Sequence, residues 1–412
     1  MPYLDFNATA PLHPAARQAW LDAVDRAWHN PSSLFPEAAV AHDLLEDARD
    51  RLADLLDCGP EQIVFTAGAT EANNAFARHV GRSAGARSRA VLSPLEHPCV
   101  ADAFAASLPG RVVEAAVDGD GVMTAAAVDA AIGAALAAGP VACVSVMAAS
   151  NETGAIQPCV EIASLCQRRG LPFHTDAAQW FGKLPAAGLP RYGWITGSGH
   201  KFGGPKGVGF LVVPEDDRSL PPFQGDRGGP QERGRRAGTE NVAAIAAMVA
   251  ALEAAETRTC EAADRAAIRD AAEQRLLEHL PRAILIGAAG PRLWNTLAVF
   301  LPGCDAKKIV ARLGRAGVAA STGSACSAGA GSTARAVAAI GAERLGIDPA
   351  DLGGMVRLSS GWDTTAAEWT LAVDAVVAAV RDAAQPPPQV SLSGLSGGPH
   401  PEPRQPAPAP PR

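Results

Sequence analysis

Lysine is almost missing from this chain: Lys183, Lys201, Lys206, Lys307 and Lys308 are the only ones in 412 residues. Aromatic residues are also scarce at 5%, although 48% of the chain is hydrophobic, much of it alanine. No Lys/Arg block stands out and the formal net charge is −7, which argues against a nucleic-acid partner. The local trio Arg233, Arg235 and Arg236 is too small for such a face and better suits a small anion. A run of about 18 apolar residues, the minimum for a transmembrane helix, does not occur. The opening Met1-Pro2-Tyr3-Leu4-Asp5 lacks the basic-then-apolar order of a secretion signal. The eight cysteines, Cys58, Cys99, Cys143, Cys159, Cys166, Cys260, Cys304 and Cys326, form no CxxC pair. Zinc and dithiol-redox motifs are therefore not expected, and reduced thiols in the cytoplasm are.

What is present reads as a two-domain α/β protein, since the length exceeds the usual domain of about 100–200 residues. Short apolar stretches bounded by turns predict strands at Gln62–Thr66, Arg89–Ser93, Val141–Met147, Pro172–Thr175, Trp194–Gly197 and Gly209–Val213. Helical patterns at Ala15–Arg26, Ala39–Leu56, Ala125–Ala138 and Ile156–Arg169 lie around them. That alternation predicts a mostly parallel sheet covered on both faces. A long helical stretch from Val242 to about Leu280 would bridge to a smaller α/β domain. In it Asn295–Leu301, Val318–Ser321 and Met355–Leu358 read as strands, with helices near Ala306–Ala316 and Thr365–Ala384. Residues 14–250 are expected to form the large domain, and 1–13 with 251–384 the small one. The Pro-rich 385–412 has too little apolar content to fold and reads as a disordered tail.

Ligands on such sheets bind at the carboxyl ends of strands. Lys201 follows a predicted strand within Gly197-Ser198-Gly199-His200-Lys201-Phe202-Gly203-Gly204. A lysine in that setting can form an imine with an aldehyde cofactor, or be a surface residue in a glycine-rich turn. Phe65-Thr66-Ala67-Gly68-Ala69-Thr70-Glu71 runs from strand through glycine into a helix start, which suits a phosphate or an ordinary cap. Asp176, ending another strand, is a partner for a pyridinium nitrogen or a helix N-cap. His97 suits proton movement near neutral pH or a structural role, and Asn151, which also ends a strand, could reach a cofactor's ring oxygen. Cys326 lies in Ser321-Thr322-Gly323-Ser324-Ala325-Cys326-Ser327-Ala328-Gly329, which reads as a mobile loop. It is read as a nucleophile acting as thiolate, and the other seven cysteines as inert core. Arg357, a charge in an apolar run, suits a bidentate clamp on a carboxylate or a structural ion pair.

In this order the segments resemble the cysteine desulfurases of the class V aminotransferase superfamily, from Tyr3-Leu4-Asp5-Phe6-Asn7-Ala8-Thr9 to Arg357-Leu358-Ser359. The strongest motifs are Gly68-Ala69-Thr70-Glu71, Asn151-Glu152-Thr153-Gly154, Ser198-Gly199-His200-Lys201 and Glu232-Arg233-Gly234-Arg235-Arg236-Ala237-Gly238-Thr239, closest to the NifS/IscS-like branch. Gly323-Ser324-Ala325-Cys326 adds a sulfur-handling signature. The resemblance implies fold type I of the pyridoxal-phosphate (PLP) enzymes, with Lys201 carrying the cofactor and His97 stacked on its ring. Asp176 would pair with the pyridinium, Gln179 and Asn151 with the ring oxygen, and Ala69, Thr70, Ser198 and His200 with the phosphate. Thr239 would reach the phosphate of a neighbouring subunit, so a homodimer is implied. Asn7, Asn151 and Arg357 would recognise L-cysteine, and Cys326 would take its sulfur as a persulfide, leaving L-alanine. The sulfur would pass to an acceptor such as an iron–sulfur scaffold. Alternatives are another class V PLP enzyme, such as a selenocysteine lyase or small-amino-acid aminotransferase, and a non-catalytic sulfur carrier. The chain departs from the pattern at Ala10, at Ser150, at Gly331-Ser332-Thr333-Ala334-Arg335 after the cysteine, and in its Pro-rich tail.

Overall fold

A computed structural model describes residues 2–215, 220–323 and 334–384. The larger of two sheets has seven strands: β1 (Ile63–Thr66), β2 (Arg89–Leu92), β3 (Val112–Glu114), β4 (Val141–Ser145), β5 (Phe173–Asp176), β6 (Trp194–Ser198) and β7 (Gly209–Val212). Their spatial order is β1-β7-β6-β5-β4-β2-β3. β7 runs antiparallel to both neighbours and every other pairing with a common partner is parallel. All six remaining strands therefore point one way and end on one edge.

Both faces of this sheet are buried, and the alternation of side chains shows it. Ile63, Phe65, Val91, Ile195, Phe210 and Val212 enter one apolar cluster. Their neighbours Val64, Ala90, Leu92, Trp194 and Leu211 enter another on the opposite side. A period of two with both phases apolar is what a doubly covered sheet requires. The helix Ala69–Ser83 meets the second cluster through Ala72, Ala75, Phe76 and Val80, a helical spacing in which alanines let the backbones come close.

The second sheet is antiparallel, in the order β10-β9-β8, from β8 (Ile284–Leu285), β9 (Thr296–Phe300) and β10 (Met355–Ser359). Its core combines Leu297, Val299, Val356 and Leu358 with residues of the helices Ala262–His279, Ala306–Arg315 and Ala366–Ala384. Leu4 sits in this same core, and Tyr3 and Asp5 bridge to Ala319 and Ser359. From there the chain reaches the large sheet, where Ala10 N–H donates to His200 O at 2.8 Å and His13 N–H to Gly203 O at 2.8 Å. The first residues thus stitch the two sheets together.

Three elements differ from the sequence reading. The helical stretch from Val242 is divided into Val242–Glu256, a short 3-10 turn Thr259–Glu261, and Ala262–His279. Arg258 at the break turns outward to Glu261 and to the Trp362 carbonyl instead of continuing the first helix. Ile156 is not helical: it bridges to Ala149, and the helix begins at Cys159 after Pro158. Val318–Ser321 makes only isolated bridges, at Ala319 and Ser321. No helix among the described residues is long and apolar enough to cross a membrane.

Candidate active site

The carboxyl ends of β1, β2, β4, β5 and β6 open onto one cavity of about 790 Å³, lined by residues that follow each strand. Lys201 stands in the short turn Gly199–Lys201 directly after β6. Its Nζ donates to Asn7 O at 2.7 Å and to Ala8 O at 3.1 Å, so the N-terminal segment aims it. Asn7 also takes Gln179 Nε2–H on that carbonyl at 2.9 Å. The Asn7 side chain is engaged by protein: Nδ2 donates to Thr296 Oγ1 at 2.9 Å, and Oδ1 accepts from Asn295 at 3.1 Å.

Asp176 ends β5 and is buried, 7% exposed. One carboxylate oxygen accepts Ala178 N–H at 2.9 Å, so it does cap the following turn. The other accepts Asn73 Nδ2–H at 2.8 Å, and Asn73 Oδ1 is held in turn by Thr196 at 2.7 Å. The sequence reading gave Asn73 no role, although it lies one helical turn beyond Thr70 on the same face. Cys99 was read as core and is instead at the cavity wall, its Sγ 3.0 Å from His97 Nδ1 and 3.8 Å from Asp176. Cys260 is exposed and Cys58, Cys99 and Cys304 are half-buried, so the core reading fails for these four, whereas Cys143, Cys159 and Cys166 are buried as expected. His97 caps the helix Pro98–Ser107 by accepting Cys99 N–H. Burial lowers its pKa, against the pull of the Asp176 carboxylate. Burial and the nearby Lys201, Lys206 and Lys183 charges bring His200 down to about 4, so its ring is neutral at pH 7. Glu96 was also missed; it is fully buried, pushed up to about 8 by burial and by Asp176, and its Oε1 accepts Met147 N–H at 2.6 Å.

Arg357, in β10, brings the small sheet to the cavity. It is 2% exposed, and its Nη2 pairs with Asp5 at 2.6 Å. Nη1 donates to the carbonyls of Asn151 at 2.8 Å and Gly323 at 3.1 Å, while the buried Nε has no hydrogen-bond partner among the described residues. Cys326 lies outside the described residues, as does the disordered tail expected over 385–412. Gly323 before that stretch and Arg335 after it both line the cavity. Thr239 is exposed and is not among the lining residues. Ala69, Thr70, Ser198 and His200 all line it.

The residues present fit PLP. At the start of the helix Ala69–Ser83, the first intrahelical bond is Ala72 N–H to Gly68 O at 3.1 Å, so the N–H groups before it face outward. Gly68 has φ +145°, and its Cα lies so near β7 that a Cβ on Gly209 would come within 2.6 Å of it. Those donors, with Ser198 and the helix dipole, suit a phosphate dianion. Asp176 offers a carboxylate to a ring nitrogen and Lys201 an amine to an aldehyde within the same cavity. No group of acidic, histidine and cysteine side chains that could hold a metal ion occurs among the described residues.

Comparison with known proteins gives the same picture. An IscS-like cysteine desulfurase of Mycobacterium tuberculosis is 35% identical over 396 residues, spanning 93% of this chain and 97% of that protein. A cysteine desulfurase of Rhodobacter capsulatus is 36% identical over 373 residues, or 89% of this chain and 93% of its own. The solved structure of a NifS-like protein superposes with a TM-score of 0.78 at 27% identity, covering 93% of this chain and 98% of that one. The structure titled SspA in complex with cysteine gives 0.71 at 26% identity, covering 87% and 98%. The Aminotransferase class-V model matches residues 2–370, and the chain belongs to that PLP-dependent family.

Proposed function

We propose that the chain is a PLP-dependent cysteine desulfurase that converts L-cysteine to L-alanine and carries the sulfur as a persulfide on Cys326. The observation that carries this reading is the meeting of Lys201, Asp176, His97 and Arg357 in one cavity, with the residues flanking the Cys326 stretch on its wall. The names of the relatives support the same substrate.

PLP, held at Lys201, supplies an electron sink for the charge left when the substrate Cα–H bond breaks. Asp176, fixed by Asn73 and Ala178, would stabilise a positive charge on the ring nitrogen. Gln179 and Asn151 would hold the ring oxygen, and Ala69, Thr70, Ser198 and His200 would hold the phosphate. Lys201 Nζ, aimed by the Asn7 and Ala8 carbonyls, is the base for the Cα proton. His97, whose pKa burial lowers, would move protons beside the ring. Arg357 takes the substrate carboxylate in place of Asp5, and Asn7 and Asn151 shape the floor below it. The Cys326 thiolate attacks the substrate sulfur: an S–S bond forms, the Cβ–S bond breaks, and Cβ gains a proton. The balance is L-cysteine plus a thiol giving L-alanine plus a persulfide.

The enzyme acts as a cytoplasmic homodimer, with Thr239 completing the partner's phosphate site, and hands its sulfur to an acceptor such as an iron–sulfur scaffold. The test is direct. Purified protein supplied with L-cysteine and a reductant releases alanine and sulfide in equal amounts. Cys326→Ser abolishes both and keeps the PLP absorbance; turnover that survives this change overturns the reading.

A further inference from the structure

Lys183 takes part in none of the steps above, yet it is 5% exposed and lies close behind Lys201. Its backbone is tightly placed. Gly182 has φ +72°, and a Cβ there would meet Phe202 Cβ at 2.3 Å. From the small sheet's side, Trp294 Nε1–H donates to Lys183 O at 2.9 Å and Trp362 Nε1–H to Gly182 O at 2.9 Å. The two indoles pack on one another with centroids 4.0 Å apart.

The Lys183 amine is directed at one residue. Nζ lies 2.7 Å from Gln179 Oε1 and 3.2 Å from Gln179 O, both neutral oxygens. Burial lowers its pKa well below the ordinary lysine range, and the Lys201 and Arg357 charges add to that. Charged or neutral, it donates to these two acceptors. On the other side, Gln179 Nε2–H donates to Asn7 O at 2.9 Å, the same carbonyl that receives Lys201 Nζ at 2.7 Å. A side-chain amide has two orientations, and the reverse one would set Oε1 against the Asn7 carbonyl.

We propose that Lys183 is a positioning residue: by donating to Gln179 Oε1 from behind, it locks the amide with its NH₂ group toward Asn7 and the cofactor. One N–H is used by Asn7 and the second is presented to the ring oxygen of PLP. The proposal rests on the reading that PLP occupies this cavity, and it deepens that reading. Lys183 touches no reacting atom; it acts through Gln179.

A double-mutant cycle tests it. Lys183→Met raises the dissociation constant for PLP about tenfold, the size expected for loss of one oriented hydrogen bond, and moves the pH midpoint of the bound-cofactor absorbance. In a Gln179→Leu background the same substitution changes the constant less than about twofold. Lys183→Arg, which keeps a donor, recovers part of the wild-type spectrum. Equal effects in both backgrounds overturn the proposal. A second arm needs no cofactor: with ¹⁵N-labelled glutamine, the Gln179 NH₂ protons of the ligand-free protein exchange about tenfold faster in Lys183→Met. Unchanged exchange there sinks the proposal by itself. A wild-type protein that takes up no PLP while this second arm holds would instead sink the cofactor reading.

Discussion

His174 shows how a buried polar residue shapes the pH response. It lies in β5, stacks on Phe76 with centroids 4.5 Å apart, and shares a 2.8 Å hydrogen bond with Ser145. Burial brings its imidazole down to about 3, whereas the unfolded chain offers an ordinary histidine near about 6.5. Between those values the unfolded state binds a proton that the folded state refuses. Stability from this site is therefore complete above about pH 6.5 and falls as the pH drops toward the folded value. Replacing both partners, His174→Phe with Ser145→Ala, leaves no orphaned polar group and should flatten the fall of melting temperature between about pH 6.5 and about pH 4. Calorimetry at several pH values decides it, and an unchanged slope would assign acid sensitivity to other groups. Residues of this kind were poorly legible in sequence. Asp176 announced itself by ending a strand, and Lys201 and His97 by following one. Asn73, Glu96 and Lys183 did not, because their importance comes from burial by segments far away in the chain. Only spacing hinted at them: Asn73 is three residues from Thr70, Lys183 four from Gln179.

At the level of elements, β7 runs close to β6 and to the start of the helix Ala69–Ser83. A Cβ on Gly209 would lie 2.5 Å from Gly197 O and 2.6 Å from Gly68 Cα, both backbone atoms that cannot swing aside. Gly209→Ala must separate strand from helix, at a cost of about 1–3 kcal/mol, and it spreads the proposed phosphate site with it. Gly133, in the middle of the helix Ala125–Ala138, is the opposite case, with open space around its ideal Cβ. Gly133→Ala should stabilise by about 0.5–1 kcal/mol and leave PLP binding untouched. Denaturant titration and cofactor retention measured side by side separate the two outcomes. The strands themselves were readable, since short apolar runs between turns have few other uses. The turn at Arg258 was not, because an alanine-rich stretch keeps its helical pattern across a break where Arg258 engages Glu261, Trp362 and Asp363.

At the scale of the whole molecule, the position of Thr239 carries the main consequence. It is exposed and outside the cavity lining, so its proposed role requires a second copy of the chain. Mixed dimers test that proposal. Lys201→Ala and Thr239→Val are each expected to be poorly active alone. Co-assembled, one of the two sites regains both residues, so activity rises above that of either variant. A mixture no better than its parts would place Thr239 outside the site altogether. The overall architecture was legible because a mostly parallel sheet gathers its functional residues on one edge. Periodicity gave no sign that Tyr3 and Asp5 would bridge to Ala319 and Ser359 beside the small sheet.

The indole pair behind Lys201 has an optical consequence. Of seven tryptophans, Trp294 and Trp362 line the small cavity that Lys201 also borders. A chromophore absorbing in the near ultraviolet at that lysine lies within energy-transfer range of both rings. Their emission therefore reports cofactor loading, and it also reports how firmly the small sheet grips the large one.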